Sequence, residues 1–294
     1  MKKAINAVFN MIFHRGKKLT EPYPISSVEL TLRNKKFDAR RVYNMNDYER
    51  LLSPYMGSHV NMTYDEYVRE ADTGDHRVLL IRHDIDHDYQ TAVRIAEWEH
   101  SRGLKATYCV LHSAWYYGHL DGDRIIHTSN LIEFTKRLVD LGHEINFHNN
   151  LLATALTHDV DPLALLRQEL DFFRSIGIVI TGTSSHGDGL CHKLNFRNWE
   201  LFKECVGDAF GGPRTIYYES SDKTRSVRAG EISMFDFGLT YEGYDVMRDI
   251  YHTESGGKMR TRHKAKGRRP FGRKNPEKGE VVGVLTHPCW WKFD

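Results

Sequence analysis

The chain has 294 residues, long enough for one large α/β domain or two ordinary ones with a substantial core. Hydrophobic residues make up 40% and charged residues 27%, the balance of a soluble globular protein, so no fibrous or disordered class is called for. The formal charge of +2 gives no general argument for nucleic acid or a membrane surface as partner. Cys109, Cys191, Cys205 and Cys289 are widely spaced with no Cys-x-x-Cys pair, which argues against a disulfide framework and a thiolate zinc site and for a reducing cytoplasm. Seventeen histidines exceed what packing needs and favour an imidazole metal site.

Residues 1–13 carry two lysines and then an apolar stretch broken by Asn6 and Asn10, followed by His14, Arg15, Lys17 and Lys18. The stretch is too short to span a bilayer and lacks a small-residue cleavage site, so a signal peptide is rejected. A docked terminal helix is the stronger reading of residues 1–18, and a helix lying on a membrane the weaker one. From Leu19 to Gly74 the pattern is mixed and tyrosine-rich, with helices expected at Asn46 to Leu52 and Thr63 to Ala71 and a capping box at Thr63 and Glu66. Residues 1–74 are accordingly expected to be an extension packing on a catalytic domain of residues 75–294.

After Gly74 a strand and helix rhythm begins. Val78 to Asp86 predicts a buried strand, with Asp84 and Asp86 on one face and His83 and Ile85 on the other. A helix follows at Tyr89 to Ser101, closed by Gly103, then a strand at Ala106 to Leu111 and a helix at Ile125 to Leu141, closed by Gly142. Next come a strand at Glu144 to His148 and a helix at Asp161 to Ile176, with Asp161 as N-cap and Pro162 at its first position. A strand at Ile178 to Ser184, a helix near Phe196 to Phe210, a strand at Thr215 to Tyr218 and a last strand at Val281 to Leu285 complete the series. Alternation of this kind means a parallel sheet, either an incomplete barrel or an open doubly wound sheet. Lys258 to Lys278 holds ten Lys or Arg and one acid, Glu277. That run reads as a solvated loop, or more sharply as a loop closing over an anionic polymer or a phosphorylated substrate.

In parallel α/β folds ligands bind at the C-terminal ends of strands, where this chain collects its polar residues. The ends carry Arg82-His-Asp-Ile-Asp86, then His112, His148, His186 and His287. Two adjacent carboxylates repel unless a cation sits by them. A mixed Asp and His set suits zinc or another divalent first-row ion, and three protein ligands leave a position for water. Trp115, Tyr116, Tyr117, Trp290 and Trp291 fall in the same loops, where they either stack on sugar faces or pack as a lid.

Arg-His-Asp-Ile-Asp, Glu-Ile-Asn-Phe-His-Asn, Ser-Ser-His-Gly and Leu-Thr-His-Pro-Cys-Trp-Trp, in this order, resemble the polysaccharide deacetylase superfamily, carbohydrate esterase family four. The resemblance covers about Tyr64 to Trp291. It implies an irregular (β/α)7-type, NodB-like barrel and one divalent ion, zinc first, with cobalt, nickel or iron as alternatives. Asp84 matches the family's general base, Asp86 and His148 match metal ligands, and His287 matches the general acid. The family's second ligand histidine would fall four residues after His148, where Leu152 stands, so His186 at the next strand end is the expected third ligand. Arg82, Asn149, Trp115 and Trp290 are the expected substrate contacts. The implied activity is removal of N-acetyl groups from an amino sugar or polysaccharide precursor. Hydrolysis of a cyclic amide, an imide or an O-acetyl ester is the alternative on the same barrel, and a degenerate carbohydrate-binding protein the alternative from another class.

Overall fold

The computed structural model describes residues 42–70, 76–207, 211–219, 223–246, 249–263 and 279–293. The N-terminal helix expected within residues 1–18, and residues 264–278 of the basic run, lie outside the described residues.

The chain enters through β1 (Tyr43–Asn44) and α1 (Met45–Leu52), whose N-cap Asn44 closes a capping box with Asp47. β2 (Val60–Met62) leads to α2 (Tyr64–Arg69), opened by the expected Thr63 and Glu66 box. Four consecutive apolar residues then begin β3 (Val78–Ile85), and all eight of its residues are buried. Asp88 caps α3 (Tyr89–Ser101), and β4 (Thr107–Leu111) follows. Gly122 and Asp123 turn a hairpin, β5 (Gly118–Asp121) and β6 (Arg124–His127), whose second strand takes the first three residues of the helix expected from Ile125. The helix, α4 (Ser129–Asp140), starts only at its cap Thr128. The Gly-Asp turn outcompetes helix propensity there because Gly122 reaches φ +66° without strain.

β7 (Glu144–Asn149), α5 (Leu151–His158), α6 (Pro162–Ser175), β8 (Gly182–Ser185) and α7 (Gly189–Leu194) come next, with Asp161 capping α6 as expected. Over residues 196–207, the described part of the helix expected near Phe196 to Phe210, no such helix forms. Two short 3₁₀ turns, Asn198–Leu201 and Lys203–Cys205, stand there instead. Asn198 is the reason: its side chain bonds the backbone of Leu152, Ala153 and His186 and so binds the segment to the strand ends. The strand expected at Thr215 to Tyr218 belongs to a separate antiparallel hairpin, β9 (Arg214–Glu219) with β10 (Thr224–Ala229). β11 (Tyr241–Glu242), β12 (Ile250–Thr253), β13 (Arg260–His263), β14 (Val281–Thr286) and β15 (Trp291–Lys292) end the chain.

Nine strands share one sheet in the order β11-β8-β7-β4-β3-β14-β12-β13, with β2 paired to the first half of β3. Every pairing is parallel except β12 with β13. The fold is mixed α/β with a curled, half-barrel sheet. Residues 42–70 are part of this unit, since β2 lies in the sheet and β1 pairs β15. Leu79, Ile81 and Ile85 face the helices in the main core, while Val78 and Leu80 join Tyr64, Tyr67, Tyr241, Val246 and Val281 in a smaller plug under the concave face. Arg82 and Asp84 follow Leu80 on that concave face.

Gly182 is where sheet and plug meet most closely, since a Cβ there would lie 2.0 Å from the Tyr241 ring. Gly182→Ala is therefore expected to displace Tyr241 from Asn146 and to lower stability by about 1–3 kcal/mol, read as a lower urea midpoint with an unchanged slope.

Candidate metal centre

Strand pleating places the first carboxylate. Asp84 projects from the concave face of β3 and is buried, and Asp86 stands one turn of the pleat further on, just beyond the strand. Beyond β4, the parallel strands β7 and β8 bring in His148 from within β7 and His186 from the residue after β8. Leu152 lies in α5, fully buried in the main core, with its amide bonded to Asn198.

Asp86, His148 and His186 converge. His148 Nε2 is 3.3 Å from Asp86 Oδ1, His186 Nδ1 is 3.5 Å from the same oxygen, and the two imidazole nitrogens are 3.3 Å apart. Ligands held about 2.0 Å from one tetrahedral ion stand about 3.3 Å from each other, so this spacing fits a common metal. Asp86 Oδ1 is buried and has no hydrogen-bond partner, and His148 Nδ1 donates to the Ser184 carbonyl at 2.8 Å, which leaves the Nε2 lone pair facing inward. Burial would raise the Asp86 pKa, but the imidazoles of His148 and His186 beside it and the nearby His287 hold it well below the usual carboxylate range. For His186, burial lowers the pKa and Asp86 raises it, with a net rise.

Arg82 and Asp84 form a buried fork, Nε to Oδ1 at 2.6 Å and Nη2 to Oδ2 at 2.9 Å. Burial pushes the Asp84 pKa up, and Arg82 leads the charges that bring it below the ordinary value. Arg82, expected to meet substrate, is fully buried: Nε and Nη2 hold Asp84, and Nη1 has no hydrogen-bond partner. Asn149 is the other polar residue of that expectation. It is fully buried, donates to the Asn198 carbonyl and accepts from Leu151.

His287 follows β14, with Nε2 3.8 Å from Asp84 Oδ2 and 3.9 Å from Asp86 Oδ2. Its Nδ1 pairs with Glu254 Oε2 at 2.9 Å. Glu254 is fully buried and also takes the His287 amide and, at 3.0 Å, the Trp291 indole N–H. Burial lowers the His287 pKa, but the bond to Glu254 and the acids around it push it up to about 9. Sequence reasoning missed Glu254. It directly follows β12, so the rule that chemistry sits at strand ends would have found it had Ile-Tyr-His-Thr been read as a strand. Of the five aromatic residues, Tyr116, Tyr117 and Trp291 are buried packing residues, and Trp115 is half-buried against Tyr89 and Tyr116. Trp290 is half-buried beside His287, with its ring against Gly257.

Comparison with protein-family models, with curated proteins and with solved structures returned no match.

Asp86→Ala and His186→Ala are each expected to lose stoichiometric zinc in equilibrium dialysis. Leu152→Ala should retain zinc while losing about 2–5 kcal/mol of stability as a core cavity mutant.

Proposed function

We propose that the chain is a metal-dependent amide hydrolase that removes an N-acetyl group from an amino sugar or a polysaccharide precursor, on an incomplete NodB-like barrel. The observation that carries this reading is the set of three ligand atoms at tetrahedral spacing with an ionised carboxylate and a paired histidine on either side. Asp86, His148 and His186 would hold zinc or a similar divalent ion. Such an ion acidifies a water and polarises an amide carbonyl, the two things amide hydrolysis lacks at neutral pH.

The side chains supply the proton steps. Asp84 stays ionised because Arg82 holds both its oxygens, and it receives the proton of the attacking water. His287, protonated below about pH 9, gives its Nε2 proton to the departing nitrogen, while Glu254 stabilises the cation and fixes the ring through Nδ1. An amide needs this acid more than an ester does, because an unprotonated amide nitrogen is a very poor leaving group. The buried Glu254 behind His287 therefore favours N-deacetylation over O-deacetylation. The same proposal puts the enzyme in the cytoplasm. In support, all four cysteines are free and buried.

Acetate release from N-acetylated sugars should require zinc or cobalt and stop with chelator. Asp84→Asn is expected to bind zinc normally and to lose about 10²–10⁴-fold in kcat. Glycan binding that ignores both metal and chelator, with no acetate released, would favour the degenerate binding protein that Leu152 at a ligand position suggests. The pH profile has a predicted shape as well. The acid form of His287 is present at low pH and is lost as pH rises through about 9, so activity should fall there. Glu254→Gln removes the leading cause of the raised pKa and should move that alkaline limb down by about 1–3 pH units.

A further inference from the structure

The open edge of the sheet carries charge that the proposed chemistry does not use. Among the described residues β13 pairs only with β12, and all four of its residues are exposed. Residues paired directly across strands project to the same face. The row Arg82, Leu285, Thr253 and Arg260, and the row Leu80, Gly283, Tyr251 and Arg262, therefore put both arginines on the concave face, the face of Asp84. The alternate position agrees: Thr261 bonds His252 at 2.9 Å on the convex side, where His252 also meets the Tyr55 hydroxyl at 2.7 Å.

Lys258 adds a third cation, in the turn that leaves Glu254, with its amide donating to the Glu254 carbonyl at 3.2 Å. The turn is pinned by the Tyr43 hydroxyl, which accepts from the Met259 amide at 2.6 Å, and by Gly257 at φ +72° against the Trp290 ring. Among the described residues the side chains of Lys258, Arg260 and Arg262 take part in no hydrogen bond or ion pair. The neighbouring strand β12 turns Tyr251 and Thr253, and no carboxylate, to the same face. Charge on an edge strand also discourages pairing with a second chain. That purpose is served from either face and does not call for both arginines on the concave one.

We propose that this edge is an anion-binding subsite, so that the substrate is an N-acetylated sugar bearing a phosphate or a carboxylate beyond its ring. The inference rests on the amide-hydrolase reading of the metal centre. β13 stands two strand spacings, about 10 Å, from the strand that delivers His287. Guanidinium forks match the planar oxygen pairs of either anion.

The test is equilibrium binding to the zinc-loaded full chain, at low and high salt, of N-acetylglucosamine, N-acetylgalactosamine and N-acetylmannosamine. Each is offered as the neutral sugar, the 1-phosphate and the uronic acid. At least one anionic form should bind tenfold or more tighter than its neutral parent, with the gain shrinking in salt. The form preferred tells phosphate from carboxylate. R260S/R262S should erase the gain while leaving neutral-sugar binding and the melting temperature unchanged, and R260S and R262S singly should each erase part of it. Equal binding of neutral and anionic forms, no binding of any sugar, or a preference that survives in R260S/R262S would overturn the subsite. Acetate release is scored separately on the same samples. Intact anion preference with no acetate from any sugar would defeat the deacetylase reading and leave the subsite standing.

Discussion

A guanidinium with no solvent exposure is the constraint around which the concave face is arranged. Arg82 spends its fork on Asp84, two residues along the same strand, and a buried pair of this kind costs about 3–5 kcal/mol to break from one side. Its surroundings make room for it. Tyr244 lies under the guanidinium with its ring centre 5.0 Å away, and Gly243 lets a backbone pass where a Cβ would come within 3.1 Å of Nη1 and 2.2 Å of the Ser184 hydroxyl. Ser184 in turn presents the carbonyl that orients His148. The carboxylate proposed as base and a ligand histidine are thus fixed by one contiguous set of buried groups.

The convex face holds the same strands from behind. Glu99 of α3 is fully buried and accepts from His83 at 2.8 Å, from Tyr108 at 2.7 Å and from Tyr48 of α1. The other nitrogen of His83 meets the Thr286 hydroxyl at 2.5 Å. His83 precedes Asp84 and Thr286 precedes His287, so this bond ties the strand carrying the proposed base to the strand carrying the proposed acid. Burial opposes ionisation of Glu99, and His83 leads the groups that restore it. Tyr48 gives the N-terminal segment a place in this network.

Much of this was legible in the sequence because it depended on local rules. The apolar run before Arg82, the two-residue period that pairs Asp84 with Asp86, the glycines closing α3 and α4, and histidines at successive strand ends all follow from single segments. What was not legible depended on partners far away in the chain. Arg82 and Asn149 look like exposed polar residues until Asp84 and Asn198 are seen to occupy them. β11 and β12 are too short and polar to announce themselves as strands, and with β12 went Glu254. The segment after Phe196 has helix-forming residues, yet Asn198 serves α5 and β8 instead. At Arg82, Asn149 and Asn198 a tertiary contact overrides the local preference.

The central claim is that Asp86, His148 and His186 share one divalent ion. X-ray absorption at the zinc edge of the loaded protein tests it most directly. The account predicts a four-coordinate first shell at about 2.0–2.1 Å, with two imidazole nitrogens, one carboxylate oxygen and one further light atom. A first shell containing sulfur, or one with fewer than two imidazoles, would contradict it.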